Sequence, residues 1–589
     1  MLIFPLSKFS SIYLRLKPFT FPLSVNTRIN FNTSHTHNDS FKITKMNDRY
    51  FTKKSLVAAS PLLFTTPEIK ETFLKCWDYV TPIPIDHPMA PIFAVVLLQA
   101  LMGGFDNIYH HEVTERLPWK ITAHREQVIH CVRGGLYTVV FLSLAGIQPQ
   151  GIYATGLMGI LVIEALLTLY DFVTEDRTRK LPATERVTHT LLTLNYGVFL
   201  TLFYPILSSW AQQPNGIELV NYGIFSALNY FVAAGVCGWA FRDHFAAARL
   251  AKFAKLPPPT VSLLKKQRNI LVTGGSGFIG SALCKSLLLD NHHVFIVTRN
   301  KVRTQELFKS KTYTGTVTLL DSVEQLHKFD DIHFDVIINL AGEPLASWRW
   351  NAKQKEKLMK SRIEITEQLV NYMANAKQKP EVFISSSAIG FYGPGSVEDS
   401  ASYTESSAPS NVDSFSHKIC STWETTAKRA EDYGVRVVFL RTGIVLDRDG
   451  GVMSKLLFPF EFCLGGKFGS GKQWMSWIHL HDLLSIVGFV INNPQISGPV
   501  NATAPNPVTN EQFTSTLASV MRRLAFFTQP GFLLKILFGR ELSNELFLYG
   551  QKILPAKLLS ENFTFKYSAL DSALKEVAKG DPPRETGER

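Results

Sequence analysis

The sequence predicts a doubly wound α/β domain with a parallel sheet, a small C-terminal domain after it, and an all-α multi-span membrane domain before it. Three observations lead to this prediction. From residue 269 to residue 297, a strand, a glycine-rich turn, a helix and a second strand follow one another. Short apolar strands then alternate with helical patterns to about residue 500, as in a parallel sheet with helices on both faces. Before them, several apolar runs approach the ~20 residues that span a bilayer.

The composition agrees with this division and excludes other classes. The chain has 589 residues, too many for one ordinary domain. Charged residues make up only 19% and hydrophobic residues 46%, a shift towards membrane proteins. The net charge of +12 comes without a basic-aromatic motif, so we expect no nucleic-acid partner and a positive face beside a membrane. The six cysteines have no metal or disulfide spacing, which indicates reduced thiols.

The glycine-rich turn predicts a Rossmann-like nucleotide site. Gly274 permits the tight turn, Gly277 lets the backbone approach a pyrophosphate, and Gly280 lets helix and strand pack closely. N–H groups at the start of the helix then bind the anion. NAD-binding chains usually carry an acidic residue after the second strand, but this chain has Arg299, and a cation there favours the 2′-phosphate of NADP. The alternatives are a turn that binds nothing and a solvated basic loop.

We expect NADP(H) to contact this turn and the ends of three strands. Asp321 ends the strand at 317–320, where it can meet the adenine, and the turn after residues 336–339 passes close to the cofactor. The expected cofactor-binding residues are Gly274, Gly275, Ser276, Gly277, Phe278, Ile279, Gly280, Arg299, Asp321, Leu340, Ala341 and Gly342.

Six motifs in order give a family resemblance. They are Thr273-Gly-Gly-Ser-Gly-Phe-Ile-Gly, Asn339-Leu-Ala-Gly-Glu-Pro, Ser385-Ser-Ser-Ala-Ile-Gly-Phe-Tyr-Gly, Leu440-Arg-Thr-Gly-Ile-Val-Leu, Gly469-Ser-Gly-Lys-Gln-Trp-Met-Ser-Trp-Ile-His and Pro499-Val-Asn-Ala-Thr-Ala-Pro-Asn-Pro-Val-Thr-Asn. Residues 269–575 thereby resemble the epimerase-like atypical short-chain dehydrogenase/reductase family. The resemblance implies an NADP-binding extended Rossmann domain (269–500) and a C-terminal domain (501–574) that closes over a substrate. It does not reach residues 1–260.

The chain departs from this family at the catalytic pair. Catalytic members of the wider superfamily use Tyr-xxx-Lys, and the resemblance places those positions on Ser416 and Cys420. Neither can pass a proton in the usual way. The catalytic candidates are therefore Ser386 or Ser387, as a substrate-side hydroxyl, and Tyr392, either as a proton donor or as a packing group beside the cofactor. The expected pocket walls are Trp474, Trp477 and His479.

The first half of the chain predicts four or five transmembrane helices within residues 86–250. Apolar runs occur at 88–105, 133–147, 151–170, 190–210 and 219–241; a soluble all-helical bundle is the alternative. Loops at 106–132, 171–189 and 242–256 are rich in Lys and Arg, whereas those at 148–150 and 211–218 have none. The basic face should be cytoplasmic or its organellar equivalent. A linker at 251–268 leads to the nucleotide domain on that same face.

The two ends of the chain carry weaker signals. Residues 1–38 contain basic residues but no Asp or Glu, typical of a transit peptide to a mitochondrion or plastid, or of a disordered extension within residues 1–85. Five spans place the N-terminus on the face opposite the nucleotide domain, which conflicts with a matrix-directed transit peptide. Residues 575–589 are charged and are predicted to be disordered.

Acid and histidine pairs on the basic face predict a second site. Residues four apart share a helix face, so each pair can offer two ligands inward. Carboxylate and imidazole together suit iron or manganese, and helical bundles build di-metal sites from such pairs. The candidate metal ligands are Asp106, His110, Glu126, His130, Asp171, Glu175, Glu185 and His189. The alternative is charged loop residues paired with nearby arginines. Glu164, inside the third apolar run, is a functional hypothesis of its own.

These patterns together predict a membrane-anchored NADP(H)-dependent oxidoreductase or epimerase-like protein. Its substrate would be small or lipidic, and a di-metal site in the membrane bundle would be coupled to it. The alternative is a non-catalytic NADP-binding sensor or scaffold tethered to a membrane, because the Tyr-xxx-Lys pair is absent. The sequence identifies no redox partner.

Overall fold

The computed structural model describes residues 87–581, except 257–260, 265, 330, 348 and 396–400. The predicted transit segment lies outside the described residues, as does part of the predicted linker.

Five long helices form the first half of the described chain. They are α1 (Ala90–Phe105), α2 (His124–Gly146), α3 (Ile152–Thr178), α4 (Ala183–Ala211) and α5 (Ile224–Phe253). A π-helical turn, Asp106–Thr114, continues α1. Each of the five helices, with α1 counted together with this turn, is long and apolar enough to cross a membrane, by length and composition. Two short antiparallel strands, β1 (Ile147–Gln150) and β2 (Gly216–Leu219), pair at the opposite end of the bundle, so this domain is not purely α-helical.

Apolar side chains cover both the inside and the outside of this bundle. Phe93, Phe203 and Leu207 pack in its core. Leu101 and Phe231 point outward and are 64% and 79% exposed. Helices that are apolar all round are typical of membrane spans rather than of a bundle in water. The predicted basic loops are largely helical, because α3 continues to Thr178 and α5 to Phe253.

The second half is built on a seven-stranded parallel sheet. Its strands are β3 (Asn269–Thr273), β4 (His293–Val297), β5 (Thr316–Leu320), β6 (Val336–Asn339), β7 (Val382–Ala388), β9 (Arg436–Thr442) and β13 (Gly498–Ala502). Their order is β13-β9-β7-β6-β3-β4-β5, which places a topological switch point between β3 and β6. The helices between them are α6 (Phe278–Leu289), α7 (Lys301–Leu307), α8 (Ala352–Asn375), α9 (Phe415–Lys428), α10 (Met453–Glu461) and α11 (Leu480–Asn492). The predicted Rossmann-like sheet is confirmed.

Short elements complete the C-terminal domain and the sheet edges. The helices are α12 (Asn510–Met521), α13 (Gly531–Phe538), α14 (Arg540–Ser543), α15 (Ala556–Ser560) and α16 (Leu570–Lys579). The short strands are β8 (Ser402–Tyr403), β10 (Ile444–Leu446), β11 (Trp474–Met475), β12 (Trp477–His479), β14 (Val508–Thr509) and β15 (Lys552–Ile553). The prediction of disorder from residue 575 is wrong for 575–579, which end α16. Val577 there is buried, and Glu576 contacts His479 at 3.0 Å.

The helical bundle and the sheet domain share one hydrophobic core. Trp119 and Phe253 of the bundle pack in the same cluster as Leu457 of α10. Beside this core, Glu461 at the end of α10 pairs with Arg242 and Arg249 of α5, both at 3.1 Å. Burial alone would raise the pKa of Glu461, but Arg249 and Arg242 hold that pKa below its ordinary value. The bundle end that carries the acid and histidine pairs is therefore docked on the sheet domain.

Candidate functional site

The glycine-rich turn forms an open cradle at the carboxyl end of β3. Gly274 has φ +69°, and a Cβ added there would lie 2.6 Å from the carbonyl oxygen of Leu340. A Cβ on Gly280 would lie 2.2 Å from the carbonyl oxygen of Gly274. Gly277 differs from both, because it is exposed and its added Cβ would meet only that same oxygen, at 3.2 Å. The fold thus requires glycine at 274 and 280, whereas Gly277 borders open space at the start of α6.

A buried hydrogen-bond chain fixes the strand ends beside this cradle. Thr273 Oγ1 donates to Asn339 Oδ1 at 2.6 Å, and Asn339 Nδ2 donates to Thr366 Oγ1 at 2.8 Å. Trp423 Nε1 donates to the same hydroxyl at 2.9 Å. The backbone N–H of Leu340 donates to the carbonyl oxygen of Thr273 at 3.1 Å. The predicted cofactor turn 340–342 is therefore held against the glycine-rich turn.

Basic side chains stand at the carboxyl ends of β4 and β5. Arg299 and Arg303 are exposed there. Lys301 Nζ lies 2.7 Å from Asp321 Oδ2, and this contact lowers the pKa of Asp321. These cations, with the open N-terminus of α6, fit a dinucleotide that carries an extra phosphate. The predicted contact of Asp321 with the adenine stays a prediction.

The two candidate serines on β7 differ in availability. In the parallel pairing of β6 with β7, Asn339 lies opposite Ser385. Ser386 is the next residue of β7 and therefore lies level with the turn that follows β6. Ser386 is half-buried at this edge. Ser387 is buried, and its hydroxyl donates to Glu424 Oε1 at 2.6 Å. Ser386 is thus the better placed of the two to meet a substrate.

The structure favours the packing interpretation of Tyr392 over a proton-donor role. Its side chain is fully buried, its hydroxyl donates to Asn501 Oδ1 at 2.7 Å, and it accepts from Arg441 Nη1 at 3.0 Å. Arg441 also binds Glu424 through two nitrogens, at 2.9 and 2.8 Å. Burial raises the pKa of Tyr392, although Arg441 opposes the rise. Arg441 and Glu424 are not among the predicted site residues; the available signal is an arginine inside a buried strand, which requires a partner.

The positions of the missing catalytic pair are closed by packing. Ser416 and Cys420 lie on the face of α9 that covers Gly390, where an added Cβ would be 3.1 Å from Ser416 Cβ. Burial raises the pKa of the Cys420 thiol to about 12, so it stays protonated near neutral pH. Glu545 of the C-terminal domain accepts the backbone N–H groups of Phe415 and Ser416, at 3.2 and 2.8 Å. This contact joins the C-terminal domain to the start of α9.

Two of the expected pocket walls belong to the core instead. Trp477 is fully buried, and its indole N–H donates to a backbone carbonyl oxygen at 3.1 Å. His479 is buried and stacks on Tyr567 with ring centroids 3.8 Å apart. Trp474 is half-buried. The prediction that Trp477 and His479 line a substrate pocket is therefore wrong.

The predicted metal ligands converge at the docked end of the bundle. Two groups of residues could each hold a metal ion, because the ligand atoms within each group lie within 4.8 Å of one another. The first group is His111, Glu175, Glu185 and His189, and the second is Glu126, His130 and Glu175. His111 was missing from the predicted set. Asp106, His110 and Asp171 lie outside both groups. Asp106 contacts His110 at 2.7 Å and His189 at 3.1 Å, and Asp171 contacts His130 at 3.2 Å.

Two arginines enter the same cluster. Arg179 pairs with Glu126, Glu175 and Glu185, at 2.8, 3.4 and 2.7 Å. Arg133 bridges Glu164 and Asp171, at 3.2 and 2.7 Å. The ion-pair alternative is therefore present in part, through Arg133 and Arg179.

Comparison with known proteins places the sheet domain in a family. The model of the NAD-dependent epimerase/dehydratase family matches residues 270–502, and that of a domain of unknown function, DUF1731, matches residues 529–577. The Epimerase family protein YfhF of Bacillus subtilis (strain 168) is 38% identical over 309 residues, which are 52% of this chain and 97% of YfhF. The chain belongs to the NAD-dependent epimerase/dehydratase family. This membership confirms the resemblance seen in the motifs.

Two further relatives carry more specific names. The Epimerase family protein SDR39U1 homolog, chloroplastic, of Arabidopsis thaliana is 35% identical over 315 residues, which are 53% of this chain and 87% of that protein. A similar solved structure is the crystal structure of human epimerase family protein SDR39U1 (isoform 2) with NADPH. Its sequence is 31% identical to this chain, the match covers 53% of this chain and 99% of the human chain, and the TM-score is 0.47. The first family model begins at residue 270 and the second at residue 529, so the helical bundle lies outside both.

Proposed function

We propose that this chain is a membrane-anchored, NADP(H)-dependent oxidoreductase that acts on a small or lipidic substrate. One observation carries the proposal. The open turn at Gly277, the exposed cation Arg299 and the half-buried hydroxyl of Ser386 lie along the carboxyl edge of one parallel sheet, around its switch point. Ligands of doubly wound sheets bind at this place.

The chain's own residues have separate tasks in this proposal. The N–H groups at the start of α6 hold the pyrophosphate, and Arg299 binds the 2′-phosphate. NADPH, when bound, supplies a hydride from its nicotinamide ring to a substrate carbonyl carbon. Ser386 donates a hydrogen bond to the carbonyl oxygen, which gains its proton from water, because burial raises the pKa of the Cys420 thiol to about 12 and makes it a poor proton donor near neutral pH.

Membrane anchoring is supported by the helices and by their docking. Large apolar side chains stay exposed around the five long helices, and a lipid environment would cover them. The sheet domain sits on the end of the bundle that carries most of its charged side chains, so it would lie on the cytoplasmic-equivalent face. An organelle, plastid or mitochondrion, is the proposed compartment, and the chloroplastic name of the Arabidopsis relative favours the plastid.

We also propose that the bundle binds iron or manganese as part of the same redox protein. The acid and histidine residues gather at the end of the bundle that contacts the sheet domain. Carboxylate and imidazole donors suit these metals.

A second candidate is a non-catalytic NADP-binding sensor or scaffold. The specific observation in its favour is the closed packing of Ser416 and Cys420 where catalytic relatives have a proton-relay pair. It predicts NADPH binding without turnover, whereas the oxidoreductase predicts both.

The test uses the full-length chain in lipid nanodiscs. NADPH binding is measured by fluorescence, and NADPH oxidation is then followed with aldehydes, ketones and quinones of short and long chain length. We expect Ser386→Ala to bind NADPH normally and to lose turnover roughly 100–1,000-fold, because it removes a hydrogen-bond donor to the carbonyl oxygen. The matched control Ser515→Ala, at an exposed serine on α12, should keep full turnover. NADPH binding without turnover on any substrate would favour the sensor, and a chain that binds no NADPH would refute both candidates.

A further inference from the structure

We infer that the helical bundle holds two metal ions that share Glu175 as a bridging carboxylate. Glu175 is the one residue common to the two ligand groups. On one side of it stand His111, Glu185 and His189; on the other stand Glu126 and His130. A carboxylate has two oxygens, so a single Glu can bind one ion with each. The inference deepens the metal-binding part of the proposed function and does not depend on hydride transfer.

The groups come from four different parts of the bundle. His111 lies in the π-helical turn after α1, Glu126 and His130 lie on α2, Glu175 lies on α3, and Glu185 and His189 lie on α4. Each helix thus presents ligands inward at the same level. π-Helical turns are rare and often occur at functional sites. Here the turn lets the neighbouring residues His110 and His111 both be buried.

Unsatisfied polar atoms point to a missing ligand at this place. His111 is 6% exposed, yet neither of its ring nitrogens has a hydrogen bond. Its Nε2 stands 3.4 Å from Asp106 and 3.6 Å from Glu185 without hydrogen-bond geometry. Oε2 of Glu175, which is 1% exposed, also lacks a hydrogen bond, although His189 Nδ1 is 3.4 Å away. Buried polar groups normally have partners, and a metal ion would supply one to both residues.

The charge of the cluster favours divalent cations. Its six carboxylates are almost completely buried: Asp106, Glu126, Glu164, Asp171, Glu175 and Glu185. Arg133 and Arg179 are the arginines paired with them, and they balance two of the six negative charges. Buried charges are stable only when they are paired, so four positive charges remain to be supplied. Two divalent ions would supply them, and protonated histidines are the competing source.

The residues outside the two groups act as supports for the ligands. Asp106 Oδ2 lies 3.1 Å from His189 Nε2, which leaves Nδ1 of that ring turned towards Glu175. Asp171 Oδ2 lies 3.2 Å from His130 Nε2. A carboxylate on the second nitrogen of a ligand histidine fixes the ring and raises its basicity. The predicted ligands Asp106 and Asp171 are thereby reassigned to positioning.

Among the described residues, Arg179 is the arginine that contacts the carboxylates of these two groups. It binds both oxygens of Glu185, at 2.7 and 2.8 Å, and approaches Glu175 through Oε1 only. Arg179 also contacts both oxygens of Glu126, at 2.8 and 3.4 Å, so loading of either group requires Arg179 to release a carboxylate oxygen. Oε2 of Glu175 needs no such release, which again makes Glu175 the anchor of the pair.

The test measures metal content in the full-length chain. The protein is purified in detergent, stripped with a chelator, reloaded with Fe²⁺ without oxygen or with Mn²⁺, and assayed by mass spectrometry of the metal. We expect about two ions per wild-type chain and about one in Glu126→Gln and in Glu185→Gln. Glu175→Gln should fall below both, because it removes the shared ligand. Reloading should also raise the thermal midpoint of the wild type but not that of Glu175→Gln.

The matched control is Glu112→Gln. Glu112 is buried next to His111 in sequence and pairs with Arg242, but it belongs to neither ligand group. The control should keep about two ions. A wild-type chain that takes up no metal, or a loss in Glu112→Gln equal to that in Glu175→Gln, would overturn the inference. NADPH binding is measured on every sample: metal-free protein that binds NADPH refutes the metal site alone, and metal-loaded protein that binds no NADPH refutes the oxidoreductase alone.

Discussion

The substitution Gly277→Ala separates cofactor binding from folding. Gly277 has φ −80° and ψ 179°, an extended conformation that alanine adopts freely. The added methyl group would meet one atom, the carbonyl oxygen of Gly274, at 3.2 Å. Alanine at a compatible glycine position stabilises by about 0.4–1 kcal/mol, and the tight contact offsets part of this gain. We therefore expect the thermal midpoint to change by less than about 3 °C.

The same methyl group should weaken NADPH binding strongly. It projects from the exposed start of α6, where the backbone has to approach the pyrophosphate. Pushing the pyrophosphate away costs at least one charge-assisted hydrogen bond, worth about 1.5–3 kcal/mol. The Kd for NADPH should then rise roughly 10–100-fold. Isothermal titration of NADPH into the full-length protein measures this value.

Gly280→Ala is the contrasting variant. Its Cβ would lie 2.2 Å from the carbonyl oxygen of Gly274, so the turn itself must move. Such overpacking typically costs about 1–3 kcal/mol, and both stability and binding should fall. If Gly277→Ala binds NADPH as tightly as the wild type, the pyrophosphate does not approach this turn and the placement of the cofactor is refuted.

Three further predictions concern charge and hydrogen bonding. Arg299→Ala should raise the Kd for NADPH about tenfold or more and leave that for NADH unchanged, by titration of both cofactors. Tyr392→Phe should lower stability by about 1–2 kcal/mol through its lost hydrogen bonds while turnover on any accepted substrate is retained. Glu461→Gln should cost about 3–5 kcal/mol, because it removes the carboxylate that Arg249 pairs with and one of those that Arg242 pairs with, although Arg242 keeps Glu112. Since the pKa of Glu461 is lowered in the folded chain, the stabilisation by this pair is present above its ordinary pKa and is lost as the pH falls through the folded value.

The Glu461 prediction has a matched control variant, and each of the three predictions has a result that would contradict it. Glu511 forms an exposed pair with Lys467, so Glu511→Gln should change stability by less than about 1 kcal/mol. Equal losses in Glu461→Gln and Glu511→Gln would contradict the importance of the buried contact between bundle and sheet domain. Loss of turnover in Tyr392→Phe, with NADPH binding kept, would restore the proton-donor role. Weaker binding of NADH in Arg299→Ala would show that this arginine does not read the 2′-phosphate.

The sequence predicted those elements whose form depends on residues close together in the chain, namely the glycine-rich turn with its flanking strands and the long apolar helices. The strand–turn–helix unit at the cofactor cradle was predictable because Gly274, Gly277 and Gly280 act within one turn. The bundle helices were predictable from apolar length alone. The predicted strands 270–272, 294–297, 317–320 and 336–339 lie within β3 to β6.

Contacts between residues that lie far apart in the chain could not be predicted from the sequence. Tyr392 is buried by partners 49 and 109 positions further along the chain. The charged residues around Glu576 predicted disorder. Glu576 instead lies in a helix, where it contacts His479, 97 positions earlier in the chain. The acid and histidine pairs showed which helix faces carry ligands. They did not show His111, because the four-residue spacing assumes an α-helix and the chain there forms a π-helical turn.

The most direct test of the central claim is a titration of NADPH, and separately of NADH, into the purified full-length protein. We predict saturable binding of about one NADPH per chain, at least about tenfold tighter than NADH. A folded chain that shows no saturable binding of NADPH would contradict the claim that this protein uses NADP(H).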